Sequence, residues 1–217
     1  MIIRCVAGGP FLTNCYILGC EETGEGLLVD PGIHVVGDAL EEIERFELTV
    51  KKILNTHAHV DHASGVDYAK QALGAEFYLH PKEEAVLKAM PQQARRFPEC
   101  GFGEVKVPKV DHHLEDGEEI EFGKIRGKVI HTPGHTYGSI CISFDGDLIS
   151  GDTLFAGSVG RVDLTGGTSM RELIGSIKKK LLVLDPSTKV YSGHGPVTTI
   201  GTEKDTNPFI AGGLIIF

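Results

Sequence analysis

Thr56-His57-Ala58-His59-Val60-Asp61-His62 carries three imidazoles and a carboxylate within six consecutive positions, directly after the largely apolar stretch Val50-Lys51-Lys52-Ile53-Leu54. Such a cluster is costly to keep on one loop unless something cationic holds it together. Neutral imidazole nitrogens and carboxylate oxygens are ligands that zinc, iron and manganese accept. Alternate residues of an extended segment point the same way, so His57 and His59 can grip one ion. Asp61 and His62 stand where the chain turns into the next helix and can grip a second. The competing readings are a solvated histidine-rich tract and a lone structural zinc site.

Further ligand candidates downstream weigh against both. His135 stands in Thr132-Pro133-Gly134-His135-Thr136, Asp152 in Ser150-Gly151-Asp152-Thr153 and His194 in Ser192-Gly193-His194-Gly195-Pro196. Each follows a β-like run: Lys128–His131, Asp147–Ser150 and Lys189–Tyr191. Strand ends that converge on one edge let a site be assembled from distant parts of a chain. With the loop, these residues make seven ligands, enough for two ions and a shared bridge.

The pattern His57-x-His59-x-Asp61-His62, then His135, Asp152 and His194, resembles the metallo-β-lactamase superfamily. The resemblance runs from Val29-Asp30-Pro31-Gly32 to Ser192-Gly193-His194-Gly195-Pro196. It implies a four-layer αβ/βα sandwich, an α/β fold in which two sheets pack face to face with helices outside. By position, it implies that His57, His59 and His135 hold one metal, that Asp61, His62 and His194 hold the other, and that Asp152 bridges them. Zinc is the first choice of metal, with iron or manganese as alternatives. Asp30 is expected to hydrogen-bond the ligand loop, as carboxylates behind metal-bound imidazoles do.

Within the superfamily the chain looks most like the glyoxalase II-like hydrolases, formally hydroxyacylglutathione hydrolases, in a compact bacterial form. The supporting stretches are Thr13-Asn14-Cys15-Tyr16, Gly151-Asp152-Thr153-Leu154-Phe155 and Ser158-Val159-Gly160-Arg161-Val162-Asp163. Full-length members add a C-terminal helical domain that helps hold glutathione. A single domain over residues 1–217 without that addition is expected here. The family places a basic residue and then an aromatic one for glutathione; this chain has Arg161 and then Asp163. Arg161 and Tyr137 are the expected substrate contacts.

Two divalent ions about 3.5–4 Å apart can share a water and lower its pKa toward ~7. The expected reaction is therefore hydrolysis of a small-molecule thioester by hydroxide held between the metals, with Asp61 orienting the attack. No nucleophilic serine or cysteine triad competes. The Arg161-x-Asp163 pattern also occurs in the persulfide dioxygenase branch, where His57, His135 and Asp152 alone would hold one iron. A lactonase, a β-lactamase and a metal-stabilised scaffold without activity are further alternatives.

At 217 residues the chain can bury a substantial core. Its net charge of −9 argues against a nucleic-acid partner, which would want a basic face. Five cysteines without a CxxC pattern read as reduced thiols of a cytoplasmic protein. No membrane association is expected, since the longest apolar stretch, Phe209 to Phe217, is too short to span a bilayer. That stretch reads as a terminal strand, a packed tail or an interface element, in a monomer or homodimer.

Local patterns predict strands over residues 1–18 and 26–30, helices over Asp38–Phe46, His62–Leu73 and Lys82–Ala89, and a strand at Ala75–Leu79. Residues 119–144 read as meander strands, and Asp145-Gly146-Asp147 as a hairpin turn into the strand that delivers Asp152. Ser169-x-x-Glu172 resembles a capping box opening a helix. Met90 to Pro108 reads as a long irregular stretch and a candidate lid over the metal edge. His131 is a candidate partner of the ligand residues; His112 and His113 read as solvated surface.

Overall fold

Apolar residues run consecutively along the central strands, so that each sheet has two buried faces, and this sets the layering. The computed structural model describes residues 1–211. Its strands are β1 (Ile2–Gly8), β2 (Thr13–Gly19), β3 (Glu25–Val29), β4 (Thr49–Leu54), β5 (Glu76–Leu79), β6 (His112–His113), β7 (Glu119–Phe122), β8 (Ile125–His131), β9 (Ile140–Ser143), β10 (Asp147–Gly151), β11 (Leu154–Phe155), β12 (Ser158–Val159), β13 (Lys189–Ser192) and β14 (Thr198–Thr199). Its helices are α1 (Val36–Arg45), α2 (Val60–Ala63), α3 (Val66–Leu73), α4 (Glu84–Lys88), α5 (Met90–Arg96), α6 (Met170–Ser176) and α7 (Ile200–Thr206). Ile177–Leu181 prolongs α6 as a π-helical segment.

One sheet has the order β1-β2-β3-β4-β5-β6 and the other β14-β13-β10-β9-β8-β7; β11 and β12 form a separate hairpin. From β3 to β6 the pairing is parallel, so helices must cross over between the strands. In β2, Tyr16 and Leu18 join a core with Ile120, Val129, Ile142 and Ile149 of the second sheet. Their neighbours Cys15 and Ile17 face the other way, into a core with Val36, Ala39, Val66 and Ala69 of α1 and α3. The second sheet repeats the arrangement. Ile140 and Ile142 point to the first sheet, while Cys141 packs with Leu173, Ile177, Leu181 and Ile200 beneath α6 and α7. The layers are therefore helix, sheet, sheet, helix, the expected αβ/βα sandwich. No helix among the described residues is long and apolar enough to cross a membrane.

Three local expectations need correction. Residues 1–18 form two strands, because Gly9 (φ 71°) and Leu12 (φ 51°) close a turn in which Leu12 N–H donates to Gly9 O. The helix expected from His62 to Leu73 is interrupted at Ser64-Gly65. There Gly65 presses on Pro31, and a Cβ on it would lie 2.4 Å from the Pro31 carbonyl oxygen. The stretch Met90 to Pro108 begins as helix α5 because Pro91 occupies the first turn, where its missing N–H breaks no helical hydrogen bond. The predicted caps and turns are present: Ser169 Oγ accepts from Glu172 N–H, and Gly146 (φ 78°) turns β9 into β10. Ile210 packs beside α7; the rest of the proposed terminal element, residues 212–217, lies outside the described residues.

Candidate metal centre

Every candidate ligand leaves a strand at one edge of the sandwich. The loop after β4 carries His57 and His59, and the short helix α2 that follows it carries Asp61 and His62. His135, Asp152 and His194 follow β8, β10 and β13. An isolated bridge between Thr13 and His194 ties the two sheets together at this edge, and Asn14 N–H donates to Gly193 O at 2.8 Å. Close approach is built into the backbone: a Cβ at Gly193 would lie 2.1 Å from Asp152 Oδ1 and 2.7 Å from His62 Cε1.

The side chains gather as two triads. His135 Nε2 lies 2.9 Å from His59 Nδ1 and 3.2 Å from His57 Nε2. His62 Nε2 lies 3.2 Å from His194 Nε2, and Asp61 Oδ2 lies 3.4 Å from both. Asp152 spans the gap. Its Oδ2 is 3.5 Å from His135 Nε2 and 3.4 Å from His194 Nε2, and its Oδ1 is 3.5 Å from His62 Nε2.

Outward-facing partners fix which nitrogen of each ring is free. His59 Nε2–H donates to Thr165 O, His135 Nδ1–H to Arg161 O, His194 Nδ1–H to Phe11 O and His62 Nδ1–H to Asp30 Oδ2. Thr56 Oγ1 donates to Asp30 Oδ2 at 2.7 Å, so its lone pair accepts from His57 Nδ1–H. In the neutral rings, all five inward nitrogens therefore present lone pairs to one another at the centre. Asp152 Oδ1 is also buried there without a hydrogen-bond partner. Converging lone pairs and an orphaned carboxylate oxygen are a donor set that fits divalent cations. Asp30 Oδ2 meets both His62 and Thr56, the hydroxyl that faces His57.

The electrostatics of the triads differ. Burial drives the His57 imidazole well below its ordinary range, helped by the neighbouring histidines, and lowers His59 to about 4. Burial also opposes charge on His62, but Asp61, Asp152 and Asp30 outweigh it and hold the ring up at about 9. His194 rises to about 11 against burial through Asp152 and Asp61. Burial works against ionised Asp61 and Asp152 too; the histidines around them win, bringing Asp152 down to about 2.

A cavity of about 400 Å³ opens onto the centre. Phe11, Phe97, Phe155 and Leu164 supply apolar walls, and Arg96 and Arg161 supply charge. Gln93, Arg96 and Phe97 come from the stretch read as a lid, so that segment does border the metal edge.

A model of the metallo-beta-lactamase superfamily matches residues 8–194. The chain belongs to that superfamily. It is 38% identical to a probable metallo-hydrolase, YqgX of Bacillus subtilis, covering 94% of this chain and 95% of the relative. It is 33% identical to the hydroxyacylglutathione hydrolase GloC of Haemophilus influenzae, covering 97% of this chain and 98% of that one. Among solved structures, BLEG-1 B3 metallo-beta-lactamase superposes with a TM-score of 0.87 at 37% identity, over 97% of this chain and 100% of that chain. TTHA1623 in a di-iron-bound form gives 0.84 at 36% identity, over 95% and 100%. ETHE1 from Myxococcus xanthus gives 0.82 at 26%, over 98% and 85%.

The other expected contacts fare unequally within the superfamily frame. Arg161 lines the cavity, but its guanidinium is held by both oxygens of Asp163 at 2.8 and 3.0 Å. Tyr137 does not border the cavity: it is 56% exposed, its backbone N–H committed to Gly166 O and its carbonyl to His131. His131 stacks on His80 at 4.2 Å, away from the ligands. Thr13 and Tyr16, from a stretch quoted for the resemblance, support the site: Thr13 Oγ1 donates to Asp61 and Tyr16 to Ser192 O. Two further supporting groups carried no readable signal: Glu83 accepts from Ala58 N–H and Gln93 from Val60 N–H. Their partners become neighbours only in the fold.

Proposed function

We propose that this protein is a binuclear metal-dependent thioester hydrolase of the glyoxalase II type. The observation that carries the reading is the Asp152 carboxylate, standing between two complete triads with one oxygen directed to His62 and the other to His135 and His194. His57, His59 and His135 would hold one ion, Asp61, His62 and His194 the other, and Asp152 both. When bound, such ions supply Lewis acidity and water of lowered pKa.

The chain's own groups do the rest. Asp61, held by Thr13 Oγ1 at 2.9 Å, faces the cavity and aligns the attacking oxygen with the carbonyl. Phe11, Phe97, Phe155 and Leu164 exclude water from the acyl group. A thiolate is a good leaving group, so no strong general acid is required of the cavity. Arg161 and Arg96 are the groups for an anionic part of the substrate. The Arg161–Asp163 pair is exposed to solvent and therefore weak, so a substrate carboxylate can replace Asp163 at small cost. Similarity to GloC supports the thioester, and similarity to the di-iron form of TTHA1623 supports two ions.

A second reading, a mononuclear iron persulfide dioxygenase, draws on the similarity to ETHE1 and on the Arg161–Asp163 pair. Elemental analysis of protein purified without chelators, paired with S-lactoylglutathione hydrolysis, separates the two. Two metals per chain with thioester turnover is the expected result. One iron per chain, no hydrolysis and oxygen uptake on a persulfide would replace it with the second reading. Nitrocefin in the same assay tests β-lactam hydrolysis, suggested by the likeness to BLEG-1.

A further inference from the structure

Glu83 is fully buried, at 0% exposure, in the short turn Pro81–Glu83 that leads into α4. Its two oxygens reach two different loops. Oε2 accepts from Ala58 N–H at 2.8 Å, and Oε1 accepts from Gly138 N–H at 2.8 Å. Ala58 is the residue between His57 and His59, and Gly138 lies three positions beyond His135. The second loop is cut to fit: a Cβ at Gly138 would lie 2.8 Å from Glu83 Cγ and 2.9 Å from its Oε1. The loop is further closed on itself, with Ser139 Oγ accepting from Thr136 N–H at 3.0 Å. All three histidines of the first triad therefore hang on two loops clasped by one carboxylate.

We propose that Glu83 is a positioning residue that preassembles the His57, His59 and His135 triad, so that its loops are ordered before an ion arrives. The inference rests on the reading that this triad holds metal. Ordering ligands in advance removes a conformational cost from binding, which appears as affinity. The carboxylate is the right group because both facing atoms are N–H donors. A carboxamide has one acceptor and must aim its NH₂ at the other donor, leaving that contact repulsive. Glu83 faces Thr136 and His59 as well as the two amides, and burial raises its pKa.

Zinc titration of metal-free protein against a chromophoric chelator tests this. It is run on wild type, Glu83→Gln, His194→Ala and the double variant, with far-UV circular dichroism as a check on folding. In the His194→Ala background the first triad remains intact. There Glu83→Gln is expected to weaken zinc binding about 10- to 100-fold, the range for residues behind metal ligands. With His194 present, the weaker of the two binding steps is expected to change less than about threefold. Unchanged zinc affinity in a folded Glu83→Gln protein overturns the proposal and leaves the metal reading intact. Failure of wild type to bind zinc, iron or manganese overturns both. Should Glu83→Gln not fold, Glu83→Asp keeps the charge but is one methylene too short to reach both amides, and it carries the same expectation. Amide hydrogen exchange of metal-free wild type decides independently. Protected Ala58 and Gly138 amides support preassembly, and free exchange at both overturns it.

Discussion

His57, His59 and His135 offer three nitrogen donors in a nearly water-free corner, 1–5% exposed. Asp61, His62 and His194 combine a carboxylate with a histidine whose side chain is 26% exposed. The first triad is fixed by Glu83 and by carbonyls of the 161–165 segment. The second is held by Asp30, Thr13 and the Phe11 carbonyl. Burial makes the first triad neutral, while carboxylates hold the histidines of the second protonated. A neutral triad arranged by geometry thus stands beside a triad dominated by charge. Asp152 belongs to both, which makes it the point where the comparison can be broken most severely.

Asp152→Asn is expected to have the largest effect. The carboxamide can serve one ion but not bridge two with charge, and its NH₂ would face imidazole lone pairs. Thioester turnover should fall by about three orders of magnitude or more, equivalent to roughly 4 kcal/mol of lost transition-state stabilisation. Elemental analysis should find fewer than two metals per chain. Full occupancy with near-normal turnover would mean that the triads act independently.

Asp30→Asn should weaken metal binding about 10- to 100-fold. The loss should be larger at the second triad, because Asp30 touches His62 directly but reaches His57 only through Thr56. Equal losses in a zinc titration would show that the Thr56 relay transmits as much as the direct contact.

Proton release distinguishes the triads by sign. His62 and His194 are held at about 9 and about 11, so at pH 7 both carry protons that a metal must displace. Affinity at the second triad should rise with pH from 6 to 9. His59 lies at about 4 and His57 well below its ordinary range, so first-triad affinity should be flat above about pH 5 and fall only in acid. Calorimetry in buffers of different ionisation enthalpy should find about two protons released on filling the second triad and close to none on filling the first. Equal release at both steps would contradict the electrostatic difference.

The seven candidate ligands stood out in the sequence because metal chemistry restricts residue type. Few other reasons put His57, His59, Asp61 and His62 on one loop, and strand-end histidines and aspartates complete the set. The sandwich was legible through the family resemblance that the same pattern carries. Glu83 was not: its partners are 25 and 55 positions away, and nothing local marks a glutamate that will be buried. The break at Gly65 was hidden for a similar reason, since contact with Pro31 causes it. Helix α5 was hidden within a proline-containing stretch, because a proline starts a helix only when it falls in the first turn, as Pro91 does. Tyr137 fails as a cavity residue because backbone hydrogen bonds on both sides turn that loop, leaving the ring outside.

Arg96 gives the smallest expected effect and bears on the first triad's side of the cavity. Its guanidinium donates to Thr165 Oγ1 at 3.4 Å, and the Thr165 carbonyl accepts from His59 at 2.8 Å, so a single residue separates this cation from a candidate ligand. Arg161 is already matched by Asp163, whereas among the described residues Arg96 makes no ion pair. An anionic substrate end should therefore meet Arg96 before it displaces Asp163. Arg96→Gln is expected to raise KM about three- to tenfold for a thioester bearing a free carboxylate, with kcat unchanged, because the contact exists equally in ground and transition states. The corresponding amide substrate should be insensitive to the change. A fall in kcat instead would mean that Arg96 acts through Thr165 on His59, and that the corner assigned to geometry is tuned by charge after all.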